Sequence, residues 1–316
     1  MEGEMKLRFS LIIFPLAIFL TDYCWARRMR ISDFPFSQKL ITIHDEEASP
    51  TERIHLRVSI AKVFQDWGKY PEAITYYSQA IELARSIENR GYYIEELLAR
   101  SYENRGECKW ALRQFEDGID DIYHAIDGYI QIEQYPKAWQ IFKEYENLYT
   151  SCLKSDQDPE YLTAGISLLE KILPLLEINA ETLGISNPEN FLGRRYIYIA
   201  MGYRKIGDFH NAGKMFQKAG EKFKEKNPLL ATVNFLEAGE CFQKAKESNY
   251  AYSAYLEVKD ILLPLEQSEQ LPEMLGKLQK HLPLLILMLD FLRENFPNRE
   301  EKFIRKLGTW INSIRE

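Results

Sequence analysis

The chain has 316 residues, 46% of them apolar and 13% aromatic, which is enough to bury a large core and excludes a disordered tail. Its formal net charge is -7 over 28% charged residues, without a long basic run, so it carries no electrostatic footprint for nucleic acid. The four cysteines (Cys24, Cys108, Cys152 and Cys241) lie far apart without CxxC spacing, and indicate neither a zinc site nor a disulfide framework.

The first 26 residues differ from all that follow. Phe9, Leu11, Ile12, Ile13, Phe14, Leu16, Ile18, Phe19 and Leu20 make an apolar run interrupted by Pro15, and three readings compete for it. Small residues at Cys24 and Ala26 fit a secretory signal cleaved after Ala26. Arg27, Arg28 and Arg30 fit better beside a membrane anchor whose body stays cytoplasmic, although Asp22 leaves the run short of the roughly 20 residues that span a bilayer. A start at Met29 is the third. The run is thus a candidate membrane contact, on the cytoplasmic face or, alternatively, in an exported protein. Residues 27–50 have no helical period and end in His44-Asp45-Glu46-Glu47-Ala48-Ser49-Pro50, a linker.

Helical repeats are expected over residues 51–266. Ile54, Val58, Ala61 and Phe64 predict a helix stopping at Gly68, and Tyr70, Ala73, Ile74, Tyr77, Ala80 and Ile81 its partner. Ala99, Tyr102, Gly106, Ala111 and Phe115 suggest a second unit, and Tyr129, Tyr135, Ala138 and Phe142 a third. Ala73 to Ala111 is 38 residues but Ala111 to Ala138 only 27, so one hairpin is shortened or fused into a longer helix. Asp156-Gln157-Asp158-Pro159 breaks the run. A degenerate unit follows on Ile166, Leu169, Ile172 and Leu173, bent or ended by Pro174.

Asn187-Pro188 opens the most regular hairpin. Tyr196, Ile199, Ala200, Tyr203 and Ile206 line one helix face up to Gly207-Asp208, and Phe209, Ala212, Phe216, Ala219 and Phe223 repeat the pattern beyond it. Alanines at Ala200, Ala212 and Ala219 give large neighbours room. Asn227-Pro228 starts another pair, with Phe235, Ala238, Gly239 and Phe242, then Ala251, Tyr255 and Val258. In residues 267–316, the apolar stretch Leu282–Leu292, broken by Pro283, is expected to bury against Phe303, Leu307, Trp310, Ile311 and Ile314 and close the stack.

This order of aromatic, small residue, glycine turn, small residue and aromatic resembles a tetratricopeptide repeat. It implies an all-α, right-handed α-solenoid of stacked antiparallel hairpins, because one hairpin cannot bury both its apolar faces. Such a surface binds protein partners. Candidate inward-facing positions are mixed (Lys62, Arg100, Asp127, Met201, Glu240), which does not match a carboxylate clamp.

No enzyme chemistry is expected. Asp120, Asp121 and His124 share one helix side, a possible metal or acid–base cluster whose simpler reading is a solvated face. Gly202 to Gly207 has phosphate-loop glycine spacing, but Asp208 and Phe209 stand where Lys and Ser/Thr are required. No cofactor or metal is implied.

The hairpin Gly128-Tyr129-Ile130-Gln131-Ile132-Glu133-Gln134-Tyr135-Pro136-Lys137-Ala138-Trp139-Gln140-Ile141-Phe142 resembles one in the soluble NSF attachment proteins (SNAPs). Asn227-Pro228-Leu229-Leu230-Ala231, and Ala80-Ile81-Glu82-Leu83 running on to Ala99 and Tyr102, are similar to others in that family. The resemblance covers about residues 51–265. It implies an adaptor of membrane fusion that binds the four-helix SNARE bundle on a concave charged face, touches the membrane near its N-terminus and recruits a hexameric ATPase through its C-terminus. Two features depart from the family: the apolar run stands at the very start, and Asn312-Ser313-Ile314-Arg315-Glu316 lacks the acidic, leucine-containing ending used for ATPase stimulation.

Overall fold

The computed structural model describes residues 48–155 and 158–315, and within them the chain is all-α, built of helix hairpins packed in chain order. The apolar N-terminal run proposed as a membrane contact lies outside the described residues. Among the described residues no helix is long and apolar enough to cross a membrane. The helices form two compact units divided between Gln134 and Tyr135.

The first unit holds α1 (Pro50–Asp66), α2 (Tyr70–Arg85), α3 (Tyr92–Ala111) and α4 (Phe115–Gln131). Ser49 starts α1 with a capping box: its hydroxyl accepts from the Glu52 amide and the Glu52 carboxylate accepts from the Ser49 amide. Ile54, Ala61, Ala73, Tyr77 and Ala80 are all buried, so α1 and α2 pair along the faces that the periodicity predicts. The Tyr77 hydroxyl donates to Gln65 Oε1 at 2.8 Å, and Gln65 Nε2 donates to Glu107 on α3 at 2.8 Å, tying three helices through one amide.

The second hairpin differs from the expected register. Gly106 lies inside α3 rather than at a turn, and Ala111 is the exposed last residue of α3 rather than an early residue of its partner. The turn is Leu112-Arg113-Gln114, with Arg113 at φ +60°, and α4 opens at Phe115. Gly118 therefore stands where Ala73 stands in the first hairpin. Gly106 was misplaced because glycine has two uses here: its missing side chain admits Ile122 of α4, a Cβ at Gly106 falling 2.7 Å from the Ile122 Cδ1. The uneven alanine spacing thus reflects a long α3 and a turn without glycine.

The second unit comprises α5 (Tyr135–Lys154), α6 (Pro159–Ile178), α7 (Pro188–Lys205), α8 (Phe209–Phe223), α9 (Pro228–Lys244) and α10 (Ser248–Leu262), followed by α11 (Gln270–Leu278), α12 (Leu282–Asn295) and α13 (Glu301–Arg315). Asn187 and Asn227 cap α7 and α9, each accepting from the amide three residues on, with proline in the first turn. Pro174 does not end α6, which runs through it to Ile178, and Pro283 sits in the first turn of α12, where it breaks nothing. Ile206, expected on the apolar face, is the exposed C-cap of α7.

Helices α7 to α10 pack ring into glycine. A Cβ at Gly193 would lie 2.7 Å from the Phe223 ring, one at Gly213 2.7 Å from Phe242, and one at Gly220 2.8 Å from Phe235. Gly239 meets Tyr255 in the same way. Tyr149 of α5 lies over Gly165 and Gly202, its hydroxyl donating to the Tyr198 carbonyl at 2.6 Å. At the far end Tyr252 stacks on Phe296 at 4.1 Å and donates to the buried Glu300, which Lys259 also reaches at 2.9 Å. Burial works against the Glu300 carboxylate, but these bonds outweigh it and hold its pKa below the usual range. Buried Leu285, Leu289 and Leu292 on α12 and Phe303, Leu307 and Ile311 on α13 complete this closure.

Two predictions follow from the glycines. Replacing Gly239 with alanine is expected to cost about 1–3 kcal/mol by overpacking against Tyr255, whereas Gly276→Ala on α11, where nothing lies within 4 Å, gains up to about 1 kcal/mol of helix propensity. Urea unfolding checks both, and equal effects would remove the ring contact as the reason for Gly239. At the turns, Lys246 holds φ +62° where Gly207 holds +83° in the equivalent hairpin. The left-handed backbone costs an L-residue about 1–2 kcal/mol and glycine returns part of this as unfolded-chain entropy, so Lys246→Gly is expected to gain about 0.5–1 kcal/mol in the same assay.

Candidate protein-binding grooves

Asp121 does not take part in a metal or acid–base cluster. It is buried and bound by the Arg105 guanidinium through both oxygens, at 2.6 and 2.8 Å, and by Lys109 Nζ at 2.8 Å. The third guanidinium nitrogen of Arg105 donates to Ser78 on α2 at 2.9 Å, so the pair is a clamp between three helices. Neither expectation for Asp121, a catalytic cluster or a solvated face, matches this position; helical spacing puts Asp121 beside His124 but does not reveal Arg105 on the facing helix. No group of three or more His, Cys, Asp or Glu residues that could hold a metal occurs among the described residues. Gly202 is a buried helix residue and Gly207 a turn at φ +83°, so no phosphate loop exists there. Burial, with Glu107 nearby, pushes the Cys108 thiol up to about 12, and burial also raises Cys152 and Cys241, leaving little thiolate for nucleophilic chemistry.

Among the described residues, two concave sites bear on recognition, one in each unit. In the first unit a cleft of about 180 Å³ opens between α2, α3 and α4, around Arg85, Arg90, Tyr102 and Asp127. The Arg85 and Arg105 guanidiniums lie 5.4 and 5.5 Å from the Tyr102 ring centre. Burial raises the Asp127 carboxyl, with His124 opposing, and Gln131 donates to it at 2.8 Å.

The larger site, about 550 Å³, lies in the second unit between the start of α5, the connection from α6 and the first turns of α7. Its floor is aromatic: Trp139 of α5 lies 5.5 Å from the Phe191 ring of α7, and the fully buried Phe142, one helical turn further along α5, backs that ring at 6.1 Å. Leu183 and Ile185 form one wall, carried by a turn in which Gly184 takes φ +69°. The Arg195 guanidinium stacks 3.8 Å over Phe191 and pairs with the buried Glu146 at 2.7 Å, Glu146 also being held by Lys143. Arg195 is therefore structural. Arg194, its neighbour, is exposed at the rim, its Nε 3.4 Å from the Asn190 amide oxygen. The lining thus combines aromatic and aliphatic side chains with arginines and asparagines.

The expected inward-facing residues are not gathered in this groove. Lys62, Arg100, Met201 and Glu240 fall outside both sites, and only Asp127 lines the smaller one. Trp139, Phe191 and Arg194 were not singled out by sequence reasoning. Their signal was Trp139 and Phe142 at helical spacing on α5 together with Asn187-Pro188, which places Phe191 and Arg194 one turn apart on one face.

A tetratricopeptide-repeat family profile matches residues 54–87, which is the α1–α2 hairpin. No curated protein sequence gives a significant match. Among solved structures, BtubC (BKLC) from P. vanneervenii is similar at 15% identity, covering 70% of this chain and 84% of that one, with a TM-score of 0.30. A Rap protein complexed with competence and sporulation factor is similar at 16% identity, covering 89% and 81%, with a TM-score of 0.29. The fold assignment rests on the helix packing and the repeat match, not on these overlaps.

The two arginines are expected to separate on mutation. Arg195→Met leaves Glu146 buried with one partner fewer and should cost about 2–4 kcal/mol, while Arg194→Gln should stay within about 0.5 kcal/mol of the parent. Thermal unfolding of the two variants side by side checks this.

Proposed function

We propose that this chain is a non-enzymatic adaptor that binds helical protein partners at a membrane, as the soluble NSF attachment proteins do in vesicle fusion or SNARE-complex disassembly. Tetratricopeptide hairpins serve as protein-interaction scaffolds, and the α1–α2 hairpin carries that signature. The observation that carries the reading is the aromatic groove of the second unit. Its volume falls within the roughly 300–1,000 Å³ of ligand clefts, and Trp139, Tyr135 and Arg194 in its lining are of the residue types enriched in binding hot spots. The resemblance of residues 128–142 and of the capped start at Asn227-Pro228 supports the finer, attachment-protein part of the proposal. Membrane contact falls to residues 9–20, with the body on the cytoplasmic face.

The test is binding of the purified full chain to an assembled four-helix SNARE bundle, with and without liposomes, across about 0.05 to 0.5 M salt. Salt-sensitive binding, weakened at least about 10-fold by Trp139→Ala, is expected. Absence of binding to both the bundle and liposomes would leave a tetratricopeptide scaffold for another partner, exported or membrane-anchored.

A further inference from the structure

Resting on the reading of the second unit's groove as a protein-binding site, we infer that its occupant is an acidic protein segment. Such a segment sets a large apolar side chain on the Trp139–Phe191 floor and a carboxylate one helical turn away against Arg194.

The charge of the lining carries the argument. It holds two arginines and two asparagines but no aspartate or glutamate, although the chain as a whole has 47 acidic and 40 basic residues. Of the two cations, Arg195 is neutralised from beneath by Glu146 and covers the Phe191 ring. Arg194 forms no ion pair among the described residues, and its contact with Asn190 at 3.4 Å is long and neutral. Of the other exposed arginines described in the second unit, Arg293 pairs with Asp290 and Arg305 with Glu301, while Arg299 lies over the Tyr252 ring. The α7 N-terminus at Asn187-Pro188 opens onto the same groove and adds its partial positive charge. A basic segment would find no counter-charge in this lining and would be repelled by Arg194. A wholly apolar one would leave the rim cation unused. Bidentate pairing of a carboxylate with the Arg194 guanidinium, next to a desolvating aromatic floor, satisfies both halves of the site.

The experiment is an unbiased random-peptide display selection on the immobilised full chain, run in parallel on Arg194→Glu, Trp139→Ala and the loop variant Ile185→Ser, with circular dichroism confirming each fold. Wild type is expected to select sequences that place Asp or Glu three or four residues from Trp, Phe or Leu. A representative synthetic peptide should lose about 10-fold in affinity on Arg194→Glu and on replacement of its acids by the amides, and Arg194→Glu should select Lys or Arg instead. Selected sequences with no acidic preference, unchanged by Arg194→Glu yet lost with Trp139→Ala or Ile185→Ser, would overturn the acidic occupant and leave the groove reading standing. Recovery of no sequences, or of sequences indifferent to all three variants, would overturn both.

Discussion

The second unit depends on the seating of aromatic rings against helix backbone. Gly193, Gly213, Gly220 and Gly239 each receive a ring from the adjoining helix of the stack, and Tyr149 covers Gly165 and Gly202 together. Two helices approach this closely only where one side of the contact is bare, and a ring laid on backbone excludes water without leaving a void. The cost is helix propensity, about 1 kcal/mol for each glycine in a helix interior, and burial of Phe223, Phe235, Phe242 and Tyr255 offsets it. The alanines at Ala200, Ala212, Ala219 and Ala251 serve the same purpose less extremely. All four are fully buried.

This explains which parts were legible in the sequence. Elements marked by two independent signals were legible: Asn-Pro caps for α7 and α9, and the alanine–aromatic period for α1, α2, α8 and α10. The second hairpin was not, because glycine there has left the turn for the helix interior. Gly68 and Gly207 are turn residues at positive φ, whereas Gly106, Gly118 and Gly128 are packing residues of α3 and α4, and Arg113 holds the turn instead. Gly68 and Gly207 stand two residues before Tyr70 and Phe209, the aromatics that open the next helix, and Gly106, Gly118 and Gly128 do not.

The buried charges were hidden for a related reason. Asp121 reads as a solvated helix position by its local periodicity, yet it and Glu146 are both enclosed and each is met by an arginine from another helix. An isolated buried carboxylate is costly, so each requires its partner. Where these ion pairs bridge helices, they fix the rotation of one helix against the next more strictly than apolar contact does, because an arginine fork has one satisfactory geometry.

The same logic separates structure from recognition in the groove. Arg194 and Arg195 are adjacent in sequence, so on α7 they diverge by about 100°. That angle turns Arg195 down onto Phe191 and Glu146 and leaves Arg194 at the rim. One cation stiffens the floor, covering Phe191 where its ring meets Trp139 at 38°; the other faces whatever enters. A rigid aromatic floor loses little conformational freedom on binding, and the exposed guanidinium supplies the orientation that an apolar floor alone does not. Selectivity at this site therefore depends on Arg194, and the strength of the contact on the Trp139–Phe142–Phe191 cluster that Arg195 keeps in place.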